Sequence, residues 1–192
     1  MPLLPALAFA RQRIEGRLKN GGRALDGTAG NGRDTLFLAQ LVGGNGKVWA
    51  FDIQAQALSN TAGLLRENGV EERVELIAAS HADLADYVRE PLDAAMFNFG
   101  YLPGGDKTVT TKADSSVRAM QAAAALLAEG GLLTAVVYSG HPAGRAEAVA
   151  IEQWAAALPQ EQYQVLHYRF TNQRNHPPQL LAIEKRIRKP NR

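Results

Sequence analysis

The segment Asp26-Gly27-Thr28-Ala29-Gly30-Asn31-Gly32-Arg33-Asp34-Thr35 constrains this chain more than any other. It stands between a β-type run, Arg23-Ala24-Leu25-Asp26, and residues 34–42, where Leu36, Phe37, Ala39, Gln40 and Leu41 keep helical spacing. Glycine permits φ > 0 and lets the backbone approach a ligand closely. A strand, a glycine-rich turn and a helix, in that order, is what a nucleotide loop requires. Asp52 closes the next β-type run, 20 residues past Gly32, where a carboxylate can accept bonds from ribose hydroxyls.

The same alternation runs through most of the chain. Residues 47–52 form a second strand, followed by a helix over about 54–67 that stops at Asn68-Gly69. Residues 73–79 and 93–98 are the third and fourth strands. An alanine-rich helix over 114–128 is expected to end at Glu129-Gly130-Gly131, where glycine suits the position after a helix. Residues 132–138 are a short apolar fifth strand, and 143–158 a further helix. After Pro159 the pattern changes, with strands over 163–170 and 179–185 and no helix between them. Repeated βα units closed by a β-hairpin predict an α/β sandwich, mostly parallel with an antiparallel edge. Ligands in such folds bind at the carboxyl ends of the strands.

A chain of 192 residues reads as one domain over 1–185, followed by a basic tail over 186–192. Its longest apolar stretches, such as residues 132–138, are far too short to span a bilayer. Residues 1–10 have the apolar look of a secretory segment but carry two prolines and no positive start. An amphipathic helix fits better, with Leu3, Leu7, Ala10 and Ile14 on one side and Arg11, Arg13, Arg17 and Lys19 largely on the other. The absence of cysteine excludes a disulfide scaffold, a zinc-thiolate site and a thiol nucleophile, and it fits a cytoplasmic protein. Net charge is +2, but residues 185–192 hold five of the 21 basic side chains, so residues 1–184 are net −3. A basic tail attracts polyanions; the plainer reading is a solvated end.

The identity of the nucleotide follows from the acids. Pyrophosphate would be repelled by Asp26 at the strand end and by Asp34 in the first helical turn. Both suit a ligand bearing an ammonium and a sulfonium, such as S-adenosylmethionine; NAD and a plain structural turn are the alternatives. Asp26 also fits an Asx-type cap, and Asp34 a helix N-terminal dipole partner. Asp52 has few packing reasons to end an apolar strand.

At this point the motifs resemble a known family. The loop 26–32, Phe51-Asp52-Ile53-Gln54, Ser80-His81, Asn98-Phe99-Gly100-Tyr101-Leu102-Pro103-Gly104-Gly105-Asp106-Lys107, Tyr138-Ser139-Gly140-His141 and Asn172-Gln173-Arg174-Asn175-His176-Pro177-Pro178 look like those of the small class I methyltransferases labelled rRNA methylases. The resemblance covers roughly residues 5–185, and the family often has His where Arg33 stands here. It implies a Rossmann-like class I fold with a mostly parallel seven-stranded sheet and a C-terminal antiparallel hairpin. It also implies S-adenosylmethionine as donor and tRNA as acceptor. The reaction would methylate the 5-aminomethyl group of wobble uridine, giving 5-methylaminomethyl-(2-thio)uridine.

The donor-binding set expected on this basis is Asp26, Thr28, Gly30, Asn31, Gly32, Asp34, Asp52, Gln54, Ser80 and His81, the last two on the adenine. For the acceptor, Asp106 is expected to hold or deprotonate the amine, Tyr101 to orient the uracil, and Asn98 to accept a hydrogen bond near the reacting nitrogen. Lys107, His141, Asn172, Arg174 and Asn175 are the expected contacts to an anticodon loop, where polar amides and Arg suit base edges and phosphates. Each has a plainer counterpart: an ordinary turn for 104–106, a core aromatic for Tyr101, a helix cap for His141, a hairpin loop for 172–176. An rRNA or small-amine methyltransferase, or a nucleoside- or RNA-binding module without turnover, are the rival functions. A small dehydrogenase is disfavoured, because no Tyr-x-x-x-Lys or other hydride-transfer arrangement accompanies the loop. Whether the chain forms a homodimer is left open by the sequence.

Overall fold

A computed structural model describes residues 2–100, 110–140 and 142–188. Helix α1 spans Ala6–Glu15, and β1 (Arg23–Asp26) enters the glycine loop that leads to α2 (Arg33–Val42). Then follow β2 (Lys47–Asp52), α3 (Ala55–Glu67), β3 (Val74–Ala78), the single turn α4 (Leu84–Tyr87), β4 (Leu92–Asn98) and α5 (Ala113–Leu126). The chain finishes with β5 (Leu127–Val137), α6 (Pro142–Ala156), β6 (Tyr163–Tyr168) and β7 (Gln179–Lys185).

The seven strands make one sheet in the order β3-β2-β1-β4-β5-β7-β6. All neighbours from β3 to β5 are parallel, and β7 runs antiparallel to both β5 and β6. The antiparallel strand is therefore second from the edge, because β7 inserts between β5 and β6. Chain order reverses between β1 and β4, which opens a crevice above their carboxyl ends.

Each sheet face carries its own core, as the near-continuous apolar strands require. One face packs Leu25, Phe51, Phe97 and Leu133 against Met120 of α5 and Ile151 of α6. The other packs Val48, Ala94 and Met96 against Ile14, Leu38 and Leu65. The N-terminal helix closes the second face over β5 and β7, where Ala6 and Ala10 meet Val136 and Leu180. Its start is fixed by the Tyr168 hydroxyl, which donates to the Leu4 carbonyl at 2.8 Å, and by Phe9 against the Tyr168 ring. Leu3 lies before the helix and is 76 % exposed, so the apolar stripe begins later than its spacing predicts.

The boundary between α5 and β5 also differs from expectation. The helix ends at Leu126, and Leu127 is already paired with Leu92 as a strand residue. As a strand residue Leu127 is buried in the core cluster, and that burial favours the switch. The register shifts between Leu92 and Ala94, and Gly130 takes φ 76° inside the strand. The glycine thus serves a bulge, not a helix end.

Candidate active site

A cleft of about 1320 Å³ opens over the carboxyl ends of the strands. The glycine loop forms its floor, and its shape is dictated by neighbours. A Cβ on Gly27 would sit 2.1 Å from the Phe97 ring, and one on Gly32 (φ 79°) 2.9 Å from the Thr61 backbone. The Thr61 hydroxyl donates to the Gly30 carbonyl at 3.1 Å, tying the loop to α3. Asn60 does the same at the Asn31 side chain, at 3.0 Å.

The carboxylates divide their work. Asp26 is 1 % exposed and stands behind the cleft wall. One of its oxygens accepts the Thr28 amide at 3.0 Å and the other the Thr35 hydroxyl at 2.6 Å, so it joins the loop to the first turn of α2. Burial pushes its pKa up to about 7, reinforced by Asp34 and more weakly by Asp52, while the bonds from Thr35 and Thr28 oppose the rise. Asp52 accepts the amides of Gly30 and Gln54, each at 2.9 Å, one per oxygen. Each carboxylate oxygen keeps a second acceptor site.

Asp34 lines the cleft with a partner that its sequence position did not disclose. Arg11 of α1 donates to Asp34 Oδ1 from Nε at 2.8 Å and from Nη2 at 2.7 Å, with its guanidinium over the Phe37 ring. The helical spacing puts Arg11 largely on the polar side of an amphipathic helix, and only the packing of α1 over β5 and β7 brings it here. Opposite charges therefore stand in contact on the cleft wall.

Further round, the Ser80 hydroxyl accepts the Ala82 amide and caps the short turn His81–Asp83. The His81 ring packs edge-on against Phe99 at 5.7 Å and Phe97 at 6.4 Å. Burial lowers its pKa, against the pull of Asp52, Asp83 and the Gly27 carbonyl, so the neutral imidazole is favoured. Its Nε2 is buried without a hydrogen-bond partner among the described residues, as are Asn98 Oδ1 and Thr110 Oγ1. All three residues line the cleft. The Asn98 amide itself donates to the Thr28 hydroxyl at 2.7 Å, joining the tips of β4 and β1.

From the loop between β6 and β7, Asn175 and His176 reach the cleft wall, both with positive φ (66° and 48°). Two successive non-glycine residues in that region are uncommon, the more so with Pro177 next. Asn172 and Arg174 are exposed and lie off the wall. Tyr101, Asp106, Lys107 and His141 lie outside the described residues. Arg11, Lys112 and Tyr138 also line the cleft, outside the expected set.

Comparison with known proteins gives this geometry a family. A family model described as "Putative rRNA methylase" matches residues 48–184. The chain belongs to that family. Among solved rRNA-methylase structures, one from Clostridium thermocellum with the same description is 38 % identical, with a TM-score of 0.95. The superposition covers 96 % of this chain and 100 % of that one. The Streptococcus mutans protein SMU.1697c, solved in complex with SAH, is 35 % identical at a TM-score of 0.88, covering 96 % and 99 % of the two chains. A curated Arabidopsis thaliana relative, "tRNA (mnm(5)s(2)U34)-methyltransferase, chloroplastic", is 38 % identical over 152 residues. That match takes in 74 % of this chain and spans 56 % of the relative's length. The rRNA-methylase sheet is the Rossmann-like class I methyltransferase fold, as its motifs implied.

Proposed function

We propose that this chain methylates the 5-aminomethyl group of wobble uridine in tRNA, yielding 5-methylaminomethyl-(2-thio)uridine. The observation that supports the reading is the 38 % identity to a protein named as a tRNA (mnm(5)s(2)U34)-methyltransferase. The donor is S-adenosylmethionine, which supplies an electrophilic methyl group carried on a sulfonium. The cleft fits such a molecule. Arg11 and Asp34, already paired, offer a cation and an anion to its amino-acid end. The spare acceptor sites of Asp52 suit ribose hydroxyls, and His81 Nε2 an adenine edge.

On the acceptor side the chemistry is a proton problem. An alkylammonium has a reference pKa near 10.4, so its nitrogen has no lone pair at neutral pH until a proton leaves. Burial in the cleft disfavours the charged form. Asn98 Oδ1, buried and without a partner among the described residues, is the acceptor for an amine N–H, and Asp106 holds the amine or takes its proton. Tyr101 orients the uracil. Lys107, His141, Asn172, Arg174, Asn175 and His176 receive the anticodon loop.

Mass spectrometry of tRNA nucleosides from cells lacking the protein tests this directly. Accumulated 5-aminomethyl-uridines are expected. An unchanged tRNA profile, with a methyl group missing from rRNA instead, would refute the reading.

A further inference from the structure

Among the described residues, Glu147 is the most deeply buried acid outside the donor loop, at 2 % exposure in the middle of α6. A carboxylate is costly to bury unless it is hydrogen-bonded. Here Ser116 of α5 donates to Oε1 at 2.5 Å, and the Thr111 hydroxyl donates to Oε2 at 3.0 Å. Because the single proton of Thr111 is committed to Glu147, its oxygen is left to accept, and it accepts the Gly100 amide at 2.9 Å. The Thr111 amide returns a bond to the Gly100 carbonyl at 3.1 Å, so both polar groups of Gly100 are held. Gly100 adopts φ 150°, a conformation that side chains rarely adopt, two residues past the buried acceptor Asn98.

We propose that Glu147 is a positioning residue for methyl transfer: through Thr111 it fixes the Gly100 peptide, and with it the exit of the chain from β4 at the acceptor end of the cleft. This rests on the transferase reading above. The donor end, built from α1, β1, β2 and the glycine loop, shares none of these bonds. Losing the line should therefore damage turnover and leave donor affinity intact. Ser116 provides the contrast, since it touches Glu147 but not the line to Gly100.

The experiment uses the full chain as wild type, E147Q, T111V, T111S and S116A. It reads kcat and KM on tRNA bearing 5-aminomethyl-uridine, SAH affinity by calorimetry, Tm, and amide exchange at Gly100 without RNA. A displacement of about 1 Å at a reacting centre can cost on the order of 100-fold, so kcat is expected to fall about 10-fold or more in T111V and less in E147Q. SAH affinity should stay within about twofold, T111S should restore most of the rate, and Gly100 should lose exchange protection in T111V. S116A should lower Tm and spare kcat. The proposal is overturned if T111V and E147Q keep wild-type kcat, if SAH affinity falls in step with kcat, or if S116A slows turnover as much as T111V. Retained Gly100 protection in T111V overturns it whatever the substrate. A wild-type protein idle on this tRNA refutes the assigned acceptor, while the exchange measurement still decides the clamp.

Discussion

At the scale of single residues, the donor loop combines what the sequence discloses with what only packing can supply. The glycine spacing and the acid at 52 were legible because they are local: each residue answers to a turn or a strand end. Arg11 was not, since its contact with Asp34 joins residues 23 apart through the docking of α1. Arg11→Met should weaken SAH binding about 10-fold or more, the loss of a charge-assisted contact of about 1.5–3 kcal/mol. Binding of 5′-methylthioadenosine, which lacks the amino-acid end, should not change. Equal losses for both ligands would show that Arg11 only supports the loop. Asp26 makes a second prediction. Its folded pKa of about 7 lies above the ordinary 3.8, so the protonated form is the stabilising one. That contribution is fully present below pH 3.8 and is lost as pH rises through about 7, an upper bound of about 4 kcal/mol. Asp26→Asn should therefore gain stability relative to wild type in urea unfolding between pH 5 and pH 8 in the ligand-free protein. Parallel stability curves would contradict the buried, uncharged carboxyl.

At the scale of elements, the strands and helices that alternate are legible because each face of a parallel sheet demands its own apolar period. The exception is instructive. Alanine-rich 114–128 carries helical propensity to its end, yet Leu127 leaves the helix to enter the core. Tertiary burial outweighs a propensity difference of under 1 kcal/mol per residue. The same segment moved Gly130 from a helix end to a strand bulge. A Cβ there would meet only Ile187, at an ordinary 3.6 Å, so Gly130→Ala is charged with backbone strain alone. It should cost about 1–2 kcal/mol in denaturant unfolding and leave SAH affinity unchanged. A neutral result would mean that the bulge relaxes. The short turns at Glu71–Arg73, His81–Asp83 and Leu84–Tyr87 have too few residues for a period to form, which is why nothing in the sequence announces them.

At the scale of the whole molecule, charge and topology answer separate questions. The body is net acidic and the basic excess sits at the C-terminus, which fits a tail that meets phosphates. Topology limits where it can do so. Strand β7 runs from Gln179, paired with Val137 at the cleft end, to Lys185, beyond the Leu132–Glu184 pair at the opposite end of the sheet. Its seven residues carry the chain about 20 Å away from the cleft. The Arg186 amide then donates to the Gln162 carbonyl at 2.7 Å, and Arg188 lies against Glu129, which ties the start of the tail to that far end. Residues 189–192 can extend by about 14 Å at most, less than the distance back. On the tRNA reading proposed above, a phosphate contact from Lys189 or Arg192 belongs to RNA that does not enter the cleft. Deleting residues 189–192 should leave kcat/KM on an isolated anticodon stem-loop within about twofold of wild type. On full-length tRNA it should weaken binding and reduce the slope of log affinity against log salt, by at most about 2 for the two charges removed. A slope change on the stem-loop itself would show that the tail reaches the cleft, and no change on either RNA would return it to solvent.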